Sequence, residues 1–150
     1  NVVYSRPEYA DGSYYFLQGD YDENTLVLYR YFPGQMPQAA VELRLDQVNL
    51  YNLRIVGNPV HIISQEGELQ CYYPEVFSFP LRPNETVCFI EEGKVYIEAW
   101  IEEGWDDENE CATDEYRYYD KVIIKDFDGR LLSEETGSLF QASDGMWWIS

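Results

Sequence analysis

The chain has 150 residues, of which 45% are hydrophobic and 17% aromatic, including fourteen tyrosines and four tryptophans. That is one domain's worth of sequence, able to bury roughly two thirds of its extended surface, and it excludes a disordered polypeptide despite the net charge of -18. With 28 acidic against 10 basic side chains, contact with nucleic-acid phosphates is disfavoured by repulsion, and apolar runs such as Val122-Ile123-Ile124 are too short to span a membrane.

Taken in chain order, strand signals dominate. Residues 25–32 are β-branched and aromatic and end at the turn Pro33-Gly34. Residues 40–48 alternate apolar and polar side chains, as a half-buried strand does. Leu53-Arg54-Ile55-Val56, the turn Gly57-Asn58-Pro59 and Val60-His61-Ile62-Ile63 read as a hairpin. A short strand is expected at 76–79, between Pro74 and Pro80. Residues 94–101 alternate again after Glu91-Glu92-Gly93, and strands follow at 116–124 and 146–149. No ten-residue amphipathic helix and no repeat of fixed period is found. The expectation is a single all-β domain over residues 1–150, an antiparallel barrel or sandwich.

The acids crowd one stretch: Glu102-Glu103, Asp106-Asp107-Glu108, Glu110 and Asp114-Glu115. The plainest reading is a solvated loop. Calcium is the weighed alternative, but the spacing is not that of an EF-hand, and Asp126-Phe127-Asp128-Gly129 has its glycine too early for one. Three cysteines, Cys71, Cys88 and Cys111, allow one disulfide and one leftover thiol, and none has zinc or redox spacing. Asn84-Glu85-Thr86 is a glycosylation acceptor sequence. With the cysteine count and the start at Asn1, it is read as a sign of a processed, secreted protein.

A barrel of this length encloses packed side chains or one small ligand. Tyrosine and tryptophan carry polar tips that need partners, so their abundance suits a lined cavity or rim. Tyr29, Trp100 and Trp147 lie on strands where alternate residues point inward, and are candidate stacking walls. His61, the only histidine, sits in an apolar strand and reads as structural, so no triad can be argued and no catalytic residue is assigned.

Several pieces, in order, resemble the T-type phycobiliprotein lyase (CpcT/CpeT-like) family. They are Gly12-Ser13-Tyr14-Tyr15-Phe16-Leu17-Gln18, Arg30-Tyr31-Phe32-Pro33, Asp46-Gln47, Tyr51-Asn52-Leu53-Arg54 and His61-Ile62-Ile63-Ser64, then Asp128, Thr136 and Gly145-Met146-Trp147-Trp148. The chain departs from the family at Asn52, where an arginine is usual, and lacks the Trp-Gly-Ser before the last strand. These losses weaken lyase chemistry more than ligand binding.

The resemblance implies an antiparallel, calyx-like β-barrel of lipocalin-like architecture that binds an open-chain tetrapyrrole, a biliverdin-like bilin. Such a pigment needs a carboxylate near its pyrrole nitrogens, donors for its propionates and aromatic walls. Asp128 is the candidate carboxylate; Arg54, Tyr51 and Gln47 are candidates for the polar contacts. The resemblance pairs Cys88 with Cys111 and leaves Cys71 as a candidate for covalent attachment. A pigment carrier is therefore expected, or else a lyase handing bilin to a phycobiliprotein subunit, with homodimerisation a further expectation. The competing class is an acidic interaction protein, a DNA mimic or inhibitor, with no small ligand.

Overall fold

The computed structural model describes residues 1–143 and 146–150, so Gly145 of the closing motif lies outside the described residues. The described chain is all-β, with antiparallel sheets and no α-helix. It divides into two compact units, Asn1–Phe79 and Pro80–Ser150.

The first unit carries two sheets. Strands β1 (Val2–Tyr4), β2 (Glu8–Ala10), β3 (Ser13–Asp20), β4 (Thr25–Tyr31) and β5 (Gln38–Arg44) form one, in the order β1-β3-β4-β5 with β2 also on β3. The hairpin from β2 to β3 turns on Asp11-Gly12, both left-handed (φ 51° and 77°), between the paired Ala10 and Ser13. Two successive positive φ values give the twist that antiparallel neighbours need. Strands β6 (Arg54–Val56), β7 (His61–Gln65), β8 (Glu68–Tyr73) and β9 (Phe77–Pro80) form the other, a meander in sequential order.

The expected hairpin at residues 53–63 is present, with Arg54 opposite Ile63 and Val56 opposite His61. The expected strand at 40–48 stops at Arg44. Asn24 takes over the next backbone donors: its carbonyl accepts from Leu45 N and its side-chain oxygen from Asp46 N, which bends Leu45–Gln47 into a single 3-10 turn.

Alternation places one row of each strand inward. Leu17, Leu26 and Leu28 of the first sheet meet Ile55 and Ile62 of the second, with Leu45, Val48 and Val60 from the connections closing the cluster. Each such side chain contributes about 1.5–3 kcal/mol on full burial. The opposite row of the first sheet is aromatic: Tyr14, Phe16, Tyr29 and Tyr31, joined by Tyr4 and Tyr9 from the edge strands, each in ring contact with a neighbour.

The second unit carries another meander, β10 (Glu85–Glu91), β11 (Lys94–Asp106), β12 (Cys111–Asp126) and β13 (Leu131–Thr136), and a short pair, β14 (Leu139–Gln141) with β15 (Trp147–Ile149). Val95, Ile97 and Ala99 fill the buried row of β11. Among the described residues the strands therefore form one five-stranded sheet, two four-stranded meanders and a hairpin. No pairing among the described residues closes a sheet on itself.

The third sheet corrects the disulfide expectation. All three cysteines are free. Cys88 lies on β10 between the residues that face Ile97 and Tyr96, whereas Cys111 faces Asp106 at the far end of β11. At about 3.3 Å per residue that is roughly 25–30 Å, several times the reach of a disulfide.

Candidate functional site

Beyond Trp100 the β11–β12 hairpin outruns its neighbours. β10 pairs with β11 only as far as Ala99, with one further bond from Trp100 N to Asn84 O, and β13 reaches β12 only at Lys121. Residues 101–119 thus form a two-stranded arm, and the acidic stretch expected as a loop is largely strand within it. A lone pair of strands is marginal in water, so its stability depends on side chains across the pair.

Its two faces differ. On one, the Arg117 guanidinium binds Glu103 at 2.5 Å and lies 5.0 Å from the Tyr119 ring centroid, while the Tyr119 hydroxyl donates to the same carboxylate at 3.0 Å. The Arg117 bond, with the Tyr119 bond second, holds the Glu103 carboxyl below its ordinary value. Lys121 pairs with Glu134 of β13 nearer the base.

The other face is a row of rings. Trp100 lies 6.1 Å from Tyr118, Tyr118 lies 6.4 Å from Tyr116, and Tyr116 meets the edge of Trp105 at 5.9 Å. Trp100 is 48% exposed and Tyr118 65%, so these rings are not a core. Tyr116 donates to Glu102 at 2.8 Å, and this bond pushes its phenol pKa up.

The pairing shifts between Glu103–Arg117 and Trp105–Ala112, leaving a bulge opposite Gly104. Gly104 is left-handed (φ 76°), and a Cβ there would fall 2.5 Å from the Glu115 carbonyl. Only glycine fits such a close backbone crossing. Thr113 Oγ1 donates to Gly104 O at 2.7 Å and ties the bulge down. At the tip, Asp106 accepts from the backbone of Glu108 and Asn109 and from the Asn109 amide; the amide contributes most to lowering its carboxyl pKa. Residues 101–116 contain eight carboxylates and no lysine or arginine.

The residues expected around a pigment are not brought together within either unit. In the first, Tyr29 is on the outer aromatic face, stacked on Phe16 at 5.2 Å and donating to Gln18. Gln47, Tyr51 and Arg54 belong to the segment whose Leu45, Val48 and Ile55 pack against the inner face, so the sheet lies between the two groups. Gln47 and Tyr51 are exposed, and Arg54 is half-buried beside Ile55.

In the second unit, Trp147 is stacked on Phe89 at 4.6 Å, and Phe89 on Tyr96 at 4.2 Å. Asp128 is exposed in the β12–β13 turn, its N–H held by the Asp126 carboxylate at 2.9 Å. Trp100 lies six rungs along the strand from the base of that turn, roughly 20 Å away.

Cys71 is buried, donates to Tyr73 O at 3.3 Å and has its thiol pKa pushed up to about 11 by burial, so it is neither nucleophilic nor reachable in this state. His61 is buried with Nδ1 2.7 Å from Pro59 O, and burial lowers its pKa. Asn84 is exposed, and its amide nitrogen donates to Trp100 O at 2.9 Å.

Of the residues that build the arm, sequence reasoning singled out Trp100 and the acids. It missed Trp105, Tyr116, Tyr118 and Arg117. The available signal was the period-2 placement of Tyr116 and Tyr118 beside an equally spaced Trp100 and Glu102. No protein-family model, no curated protein and no solved structure matches the chain.

Proposed function

We propose that the protein is a binding module that engages a positively charged protein surface through the β11–β12 arm. The observation that carries this reading is an exposed two-stranded hairpin with eight carboxylates and no base between residues 101 and 116. Such a field speeds encounter with a cationic partner and suppresses acidic ones.

Replacing residues 104–116 by Asn-Gly joins the paired Glu103 and Arg117 through a two-residue turn and removes the arm tip. The variant is expected to lose about tenfold or more in affinity for polylysine at low salt. Equal affinity of the two proteins would overturn the reading.

A second reading, a bilin carrier, draws on the stacked Tyr96, Phe89 and Trp147, which supply an aromatic wall in the unit that also holds Asp128. It rests otherwise on the sequence resemblance and requires the sheets to enclose the pigment as a calyx-like barrel. A purified protein that is colourless and takes up no added biliverdin removes it; red absorption that persists on gel filtration supports it.

A further inference from the structure

The arm's ring-bearing face has a regularity that net charge alone does not require. Its four rings follow one another at centroid separations of 6.1, 6.4 and 5.9 Å. In an extended peptide, side chains two residues apart lie on the same side, roughly 6.6 Å from each other. The ladder therefore matches alternate side chains of an extended strand laid along the arm.

The chemistry of those side chains follows from what flanks the rings. Glu102 sits among them, opposite Tyr118 in the ladder, and Asp114 and Glu115 lie at the bulge. Aromatic faces attract cations, and the planar guanidinium both stacks on a ring and forks to a carboxylate, which an ammonium cannot do. The arm's reverse face already holds one guanidinium between a ring and a carboxylate, with Arg117 over Tyr119 and its Nε bound to Glu103. A second copy of the chain is a poor occupant, because its own charge of -18 opposes the approach.

We infer that the Trp100, Tyr118, Tyr116 and Trp105 face is a docking site for an extended, arginine-rich segment of a partner protein, alternate guanidiniums seating on successive rings. This rests on the reading of the arm as a cation-binding hairpin and specifies what it selects. The reverse face spends its only base internally, so it offers no equivalent site.

The test uses the full chain and fluorescent peptides of alternating arginine and serine, lysine and serine, or glutamate and serine, followed by anisotropy at low and at physiological salt. The arginine peptide is expected to bind about fivefold or more tightly than the lysine peptide, and the glutamate peptide not at all. Trp100→Ala and Tyr118→Ala are expected to weaken the arginine peptide about fivefold each, while Tyr118→Phe, which keeps the ring, restores it. Both side chains are exposed, so unchanged thermal unfolding of the variants separates lost contact from lost fold.

Equal binding of the arginine and lysine peptides, unaffected by the ring variants and abolished by salt, overturns the ladder while leaving the acidic module intact. Failure of every cationic peptide at low salt overturns both.

Discussion

Two aromatic surfaces of this protein are built on the same pattern and end in opposite states. Tyr14, Phe16, Tyr29 and Tyr31 occupy one row of the first sheet and are half-buried against one another, with the Tyr29 hydroxyl satisfied by Gln18. Trp100, Tyr118 and Trp105 occupy one row of the arm and are exposed. The difference is what lies beneath. Behind the first row, Leu17, Leu26 and Leu28 are sealed against a second sheet, so the strands are held whatever the rings do. Behind the arm's row lie Glu103, Arg117 and Tyr119, a polar face held by cross-links within the strand pair. Rings on a supported sheet add to stability; rings on an unsupported one are available to a partner.

Leu28→Ala tests the support itself. It empties a fully buried position and is expected to cost about 2–5 kcal/mol in urea unfolding. Hydrogen exchange in residues 101–119 should stay unchanged, because the arm's cross-strand pairs are made between β11 and β12. Collapse of arm protection along with the first unit would erase the contrast.

Gly104→Ala attacks the other side. A left-handed alanine costs about 1–2 kcal/mol, and its Cβ would collide with the Glu115 carbonyl. Amide exchange of residues 101–119 is expected to accelerate about tenfold or more, with the first unit unaffected. Unchanged protection there would show that the bulge is not what secures the arm.

The smallest effect is a pH dependence confined to the supported side. Burial depresses the folded-state pKa of His61. The unfolded chain therefore takes up the proton first as pH falls below about 6.5, and stability declines from there until the folded histidine also titrates. Denaturant midpoints measured between pH 8 and pH 5 should show this decline, and His61→Gln should flatten it. A His61→Gln variant with the same slope would assign the dependence to other groups.

Much of the local structure was legible in the residues. The hairpin around Gly57-Asn58-Pro59 formed where its two apolar runs placed it, because period-2 alternation and a turn signal act over a few neighbours. The end of β5 was not legible. It depends on Asn24, twenty-one residues earlier than Leu45, capturing that residue's donor. The arm was hidden for a related reason: its acids resemble a solvated loop until Glu102, Glu103 and their partners are seen across the ladder.

By itself, then, the sequence determined the all-β class, the positions of most turns and the net charge of -18. Alternation and composition are local or additive quantities, and both can be summed along a chain. Only the tertiary structure decided that the strands form separate sheets, that Cys88 and Cys111 lie far apart along β11 on its two neighbouring strands, and which aromatic row is left uncovered. Those outcomes depend on register and on how far neighbouring strands extend. Register is set by pairing between residues distant in sequence, and no single stretch of chain carries it.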